Sequence, residues 1–202
     1  ARDPYGIRPL CLGITEEKDY IVASETCSLD IIGAKLLKEI DPGEMISINI
    51  NKTYQTYKIS ENAKNNLCIF ELIYFARPDS IIHGQSINSY RFNLGRELAK
   101  ASPVNADIVI SVPDSGTTAA IGYSYESKIP FIEGLIKNRY VGRTFINPTQ
   151  QIRSRGIKLK LNPIVDVLKN KKVIVVDDSI VRGNTVKQLV DMLRQAGAKE
   201  VH

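Results

Sequence analysis

The residues best suited to chemistry are Val173–Thr185, VIVVDDSIVRGNT. Four β-branched residues, Val173–Val176, read as a buried strand, and two adjacent carboxylates, Asp177 and Asp178, stand at its C-terminal end. In open α/β sheets ligands bind at that end of the strands. Ser179, Gly183, Asn184 and Thr185 then lead into a helix predicted from Val186, Leu189, Val190 and Leu193 at i, i+3, i+4 and i+7, with Gly197 as its stop. Small residues and hydroxyls let backbone N–H groups close around a phosphate, and a helix N-terminus adds about half a positive charge. Carboxylates beside a phosphate cradle fit a phosphorylated sugar: the acids accept from vicinal hydroxyls while the loop holds the phosphate. An acidic pair on an ATP-hydrolysing strand competes with this reading, but neither GxxxxGK[ST] nor GxGxxG occurs in the chain.

The rest of the sequence indicates the frame around that string. From Leu67 onward, strands and helices alternate: a helix over Asn88–Ala101, a buried strand over Asp107–Val112, a helix from Thr117, a strand over Pro130–Ile136, and the strand of Lys172–Val176. Such alternation predicts an α/β fold with a mostly parallel sheet flanked by helices on both faces. Residues 1–59 instead read as strands over Ile7–Leu12, Tyr20–Ala23, Met45–Ile50 and Tyr54–Ile59. A helix capped by Ser28 is expected among them, carrying Leu29, Ile32, Leu36 and Ile40 and ending at Pro42-Gly43. This is an incomplete layer, and the polar Ser60–Asn66 is the expected linker. Beginning at Ala1 and ending just after a strand-like start, the sequence reads as a piece of a longer protein.

Composition narrows the classes. The 202 residues are 43% hydrophobic and 24% charged, which excludes a disordered or collagen-like chain. No apolar run is long enough to span a membrane and no signal pattern opens the sequence. Cys11, Cys27 and Cys68 are odd in number and unpaired in spacing, which points to a reducing, cytoplasmic setting rather than a disulfide framework. With only His83 and His202, a His-rich metal site and a Ser-His-Asp triad are unsupported. The net charge of +5 is local: Lys137, Arg139, Arg143, Arg153, Arg155, Lys158 and Lys160 fall in a stretch without an acid, and the remainder is slightly acidic. Charge alone leaves open a solvated loop, a nucleic-acid track or a polyphosphate clamp.

The string Val173–Thr185 closely resembles the phosphoribosylpyrophosphate (PRPP) signature of type I phosphoribosyltransferases. Lys137–Phe145, KNRYVGRTF, resembles the flexible loop of the glutamine PRPP amidotransferase family within that group. Arg2–Leu10 (RDPYGIRPL) and Val22–Asp30 (VASETCSLD) resemble the end of that family's glutaminase domain, and Glu71–Ser80 (ELIYFARPDS) the start of its transferase domain. The motifs occur in the family's order over essentially the whole chain. The resemblance implies residues 1–60 as the C-terminal part of a class II, N-terminal-nucleophile glutaminase domain of α+β type, and 61–202 as a type I phosphoribosyltransferase domain truncated at its C-terminus.

The reaction so implied opens purine synthesis: ammonia from glutamine displaces pyrophosphate from C1 of PRPP. It assigns Lys137, Arg139, Tyr140 and Arg143 to the departing pyrophosphate, with Gly142 as a hinge, and leaves Arg153 and Arg155 solvated or structural. Asp177, Asp178, Ser179, Ile180, Val181, Arg182, Gly183, Asn184 and Thr185 are implied to bind PRPP. Ser115 of VPDSG, Asp177 and Asp178 are implied around Mg²⁺, with Asp114 a weaker neighbour; the plain alternative for Ser115 is a helix N-cap. Cys68 matches a position that carries a [4Fe–4S] ligand in one branch of the family; its plain alternative is a buried small hydrophobe. The implied partners are PRPP, glutamine or ammonia, and pyrophosphate, with no nucleic acid, no membrane and a homo-oligomeric assembly. The glutaminase nucleophile is not in this stretch. Two rivals share the PRPP string: a nucleobase phosphoribosyltransferase, which should lack KNRYVGRTF, and a non-catalytic PRPP-binding regulator, which predicts salt-sensitive nucleic-acid binding.

Overall fold

The structure, a computed structural model, describes residues 1–138, 160–180 and 183–202, with 184 and 185 described by backbone alone. Arg139, Tyr140, Arg143, Arg153, Arg155, Val181 and Arg182 therefore lie outside the described residues. The chain divides into two compact units, Ala1–Tyr90 and Arg91–His202.

In the first unit β1 (Cys11–Ile14) is flanked by β2 (Tyr20–Ala23) and β3 (Lys35–Glu39), both antiparallel to it. The helix α1 (Thr26–Ile31) packs Leu29 against Cys11 and Ala34. The long helix expected from Leu29 to Ile40 is thus a short helix followed by a strand. Gly33, at φ +69°, turns the chain out of the helix, and Lys35–Glu39 takes up the open edge of β1. Ile32 and Leu36 stay exposed while Leu29 and Ile40 are buried, so the four do not form one buried helical face. A hairpin of β4 (Glu44–Ile48) and β5 (Tyr54–Lys58) follows, then a π-helical turn at Glu71–Phe75 and the two-residue strands β6 (Ile81–Ile82) and β7 (Gln85–Ser86).

Polar side chains hold this unit together. Arg2 is buried and donates to the carbonyls of Arg8 (2.9 Å), Ile40 (2.8 Å) and Gly6 (3.0 Å). Its partner in the same motif, Asp3, accepts from the N–H groups of Tyr5 and Ile7. Glu25 accepts from the Arg77 N–H (2.7 Å) and the Ser80 hydroxyl (2.8 Å), and the Thr26 hydroxyl accepts from the Ile81 N–H (2.8 Å). The VASETCSLD and ELIYFARPDS strings are therefore two sides of one contact. Residues 60–66, expected as a linker, run back along the N-terminus: Lys64 N–H donates to Pro4, Asn66 to Tyr5 and Cys68 to Ile7. That pairing keeps them within the first unit.

The second unit is a parallel sheet with helices on both faces. Its order is β12 (Glu200–Val201), β11 (Lys172–Val176), β8 (Ile108–Ser111), and Phe131 bridges Val109 in parallel on the far side. Alternation across the pleat separates two cores. Ile108, Ile110 and Val173 meet Leu189, Met192 and Leu193 of α5 (Asn184–Gln195), with Leu168 of α4 (Val165–Leu168). Val109, Ile174 and Val176 meet Ala120 and Tyr123 of α3 (Thr117–Ser127) and Ala99 of α2 (Ile87–Ala101). Burial on both faces is why these strands read as unbroken apolar runs. A short antiparallel pair, β9 (Leu135–Lys137) with β10 (Leu161–Pro163), completes the unit. Helices α2 and α3 cross on glycines: a Cβ at Gly95 would lie 1.8 Å from the Ala119 carbonyl oxygen, and one at Gly122 2.0 Å from that of Phe92. Among the described residues, no helix is long and apolar enough to cross a membrane.

Candidate active site

Two loops leave the C-terminal ends of adjacent parallel strands. β8 continues into Val112–Gly116 and β11 into Asp177–Ile180, and the register pairing Ser111 with Val176 sets the loops side by side. The Val112 N–H donates to the Val176 carbonyl at 2.9 Å, extending the ladder one residue past β8. Gly116 makes the approach possible. A Cβ there would lie 2.6 Å from the Val176 carbonyl oxygen and 3.2 Å from the Asp177 Cα. The peptide joining Pro113 to Asp114 is cis.

Asp177, Asp178 and Ser179 are half-buried and interlocked. The Asp178 N–H donates to Asp177 Oδ1 at 2.9 Å, and the Ser179 hydroxyl donates to Asp178 Oδ1. Burial raises the Asp177 carboxyl above its ordinary value; the Asp178 N–H opposes this, and the Asp178 charge adds to it. Two carboxylates held together where water is partly excluded are short of positive charge, so this donor set fits a hard cation or hydroxyl donors. Ser115, half-buried, lies on the neighbouring loop. It does not cap α3, whose N-cap is Gly116 with no side-chain cap. At the start of α5, Gly183 takes φ +72°, a conformation that favours glycine, and it delivers the helix N-terminus to the end of this loop. Ile180 is exposed at 73%. A cavity of about 480 Å³ opens beside Asp177–Ile180, walled by Leu98, Leu189, Val190, Val201 and His202.

Lys137 closes β9, and its ammonium donates to Asp114 Oδ2 at 2.5 Å. Lys137 and Asp114 are 23 residues apart in the chain, and no local pattern in the sequence reports their pairing. Of the residues expected to meet pyrophosphate, Lys137 is the one described; Arg139, Tyr140 and Arg143 are outside the described residues, as are Val181 and Arg182 of the PRPP string. Asn184 and Thr185 lie in the first turn of α5. Cys68 is half-buried in the other unit, and among the described residues no three His, Cys, Asp or Glu side chains cluster as a metal site. This stretch thus offers one thiolate toward a four-cysteine cluster, and no cluster chemistry is derived from it. Cys11 and Cys27 are buried, and burial pushes the Cys11 thiol up to about 11.

A parallel sheet with a carboxylate pair and a glycine-delivered helix N-terminus at its C-terminal edge places the second unit in a known family. Residues 88–202 match the phosphoribosyl transferase domain, and the chain belongs to that family. Among curated proteins it is similar to the amidophosphoribosyltransferase of Synechocystis sp., 55% identical over 203 residues covering all of this chain and 41% of that protein. It is 54% identical over 201 residues to the Mycobacterium tuberculosis amidophosphoribosyltransferase, again over all of this chain and 38% of that one. The solved glutamine PRPP amidotransferase from B. subtilis, complexed with ADP and GMP, superimposes with a TM-score of 0.90 at 51% identity, covering 99% of this chain and 44% of that one. The chain spans about two fifths of the length of the curated relatives it matches.

Proposed function

We propose that the full-length protein is an amidophosphoribosyltransferase, and that the second unit carries its PRPP site. The observation that supports this most directly is the pairing of two loops, Val112–Gly116 and Asp177–Ile180, at the ends of adjacent parallel strands, in a chain whose relatives at 51–55% identity bear that name. Asp177 and Asp178 accept hydrogen bonds from the ribose hydroxyls. The 179–185 loop, entering α5 through Gly183, takes the 5′-phosphate on backbone N–H groups. Ser115, Asp177 and Asp178 would hold Mg²⁺, which when bound offsets the charge of the pyrophosphate group.

At C1 the bond to pyrophosphate oxygen breaks and a bond to ammonia nitrogen forms, one proton leaving the nitrogen. The transition state resembles an oxocarbenium ion beside a departing polyanion, so stabilising that anion and excluding water are the protein's tasks. Lys137, with Arg139, Tyr140 and Arg143, serves the first task. The ammonia derives from glutamine hydrolysed by a glutaminase domain to which residues 1–60 contribute.

The test is pyrophosphate release by the full-length protein from PRPP and Mg²⁺, first with ammonium and then with glutamine. Release with both is expected. Release with ammonium alone would remove the glutaminase half of the reading. Tight PRPP binding without release would replace the enzyme with a PRPP sensor.

A further inference from the structure

The ion pair between Lys137 and Asp114 joins the end of β9 to the loop after β8. The backbone at Lys137 is fixed from two sides. Its neighbour Asn138 donates to the Lys160 carbonyl at 2.8 Å, and Lys137 itself pairs with Leu161 across the β9–β10 ladder. Upstream, Gly134 packs against Ile110 of β8. What remains free to move is the lysine side chain. It is 52% exposed and that of Asp114 79%, so both are open to a solute polyanion. The same loop, through Gly116, rests on the Val176–Asp177 backbone. An anion arriving at this edge of the sheet therefore meets a lysine already neutralised by a carboxylate.

We infer that Asp114 is a positioning residue that holds Lys137 between turnovers and exchanges it with the pyrophosphate group. The lysine leaves the carboxylate when PRPP binds and returns to it when pyrophosphate departs. The inference rests on the PRPP reading of the site. Because the carboxylate competes for the same ammonium, it weakens PRPP and pyrophosphate alike. An exposed pair of this kind shifts each affinity by about two- to five-fold. Asp114 so placed discourages product retention at a modest loss of substrate affinity.

The experiment uses the full-length protein with Asp114→Asn, Asp114→Glu, Lys137→Ala and the Asp114→Asn/Lys137→Ala double variant. Two quantities are read: the KM for PRPP with saturating ammonium, and the Kd of magnesium pyrophosphate by calorimetry. In Asp114→Asn both should fall together by about two- to five-fold, kcat should not rise, and Asp114→Glu should restore wild-type values. In the Lys137→Ala background, Asp114→Asn should change neither. A fall that persists without Lys137 would make Asp114 a simple repulsive charge and overturn the exchange. A rise in either quantity in Asp114→Asn would make it a supporting ligand and overturn the exchange as well. Wild-type protein that binds pyrophosphate without turning over PRPP would sink the enzymatic reading, while the calorimetric comparison would still decide the exchange.

Discussion

Replacing Gly116 by alanine tests whether the two site loops must touch. Gly116 sits at φ −75° and ψ −12°, a conformation alanine adopts without strain. In open space the change would stabilise the fold by about 0.4–1 kcal/mol, by restricting the unfolded chain. Here the new Cβ meets the Val176 carbonyl oxygen at 2.6 Å and that of Val112 at 2.9 Å. Both are backbone atoms, the first accepting the Val112 N–H that extends the ladder and the second the Gly116 N–H, so neither can swing away as a side chain would. Relief requires the Pro113–Gly116 turn to lift by about half an ångström, and overpacking of this size costs about 1–3 kcal/mol. The penalty exceeds the entropic gain, so the sign of the substitution reverses. The same displacement carries Ser115 and Asp114 away from Asp177, and misplacement on this scale lowers kcat/KM for PRPP by about ten- to a hundred-fold. Thermal unfolding and ammonium-dependent pyrophosphate release, measured on the same full-length preparation, check both figures. A Gly116→Ala protein as stable and as active as wild type would refute the claim that this glycine sets the separation of the loops.

Asp178→Asn removes one of two adjacent carboxylates but keeps the shape and an acceptor for the Ser179 hydroxyl. Its Mg²⁺-dependent turnover of PRPP should fall by about ten-fold or more, measured by pyrophosphate release over a magnesium titration. Gly122→Ala should destabilise by about 3 kcal/mol or more, because its Cβ would overlap the Phe92 carbonyl oxygen at 2.0 Å; urea unfolding reads this directly. Glu71 is 1% exposed, with Arg8 Nε 2.8 Å from its Oε1 in an ion pair that lacks hydrogen-bond alignment. Burial raises its carboxyl above the ordinary 4.5, Arg8 opposes this, and Glu25 adds to it. The folded state then holds the proton more firmly than the unfolded chain. Stability from this group is present below 4.5 and is lost as pH rises through the raised value. Glu71→Gln should therefore flatten the fall in unfolding temperature between 4.5 and the raised value, and an unchanged pH profile would refute the assignment.

What the sequence revealed and what it concealed follow from the range of the interactions involved. Strand β11 and helix α5 were readable because their signals are local. Val173–Val176 is apolar on both faces since both faces are covered, and the spacing of Leu189 and Leu193 reports one core. The carboxylate pair was legible for the same reason, since strand, acids and glycine are contiguous. Residues 32–40 were not, because a strand pairing with β1 is decided by a partner more than twenty residues upstream, as in Leu12 opposite Lys38. Tertiary pairing there overrode a helical spacing that no core enforced. The Arg2 clamp shows a different limit. The motif was recognisable as a string, yet its physical content is a guanidinium satisfying three carbonyls, one of them Ile40, 38 residues away. Gly116 and Asp114 lie at the same limit. In the sequence they are the glycine of VPDSG and a weaker neighbour of the implied Mg²⁺ site, and only the neighbouring strand and a lysine 23 residues downstream give one a steric and the other an electrostatic role. The chemistry-bearing residue types are thus written locally, while the spacing that makes them a site is written in contacts between β8, β9 and β11. Substitutions at those contacts should move the site without touching any group proposed to meet PRPP.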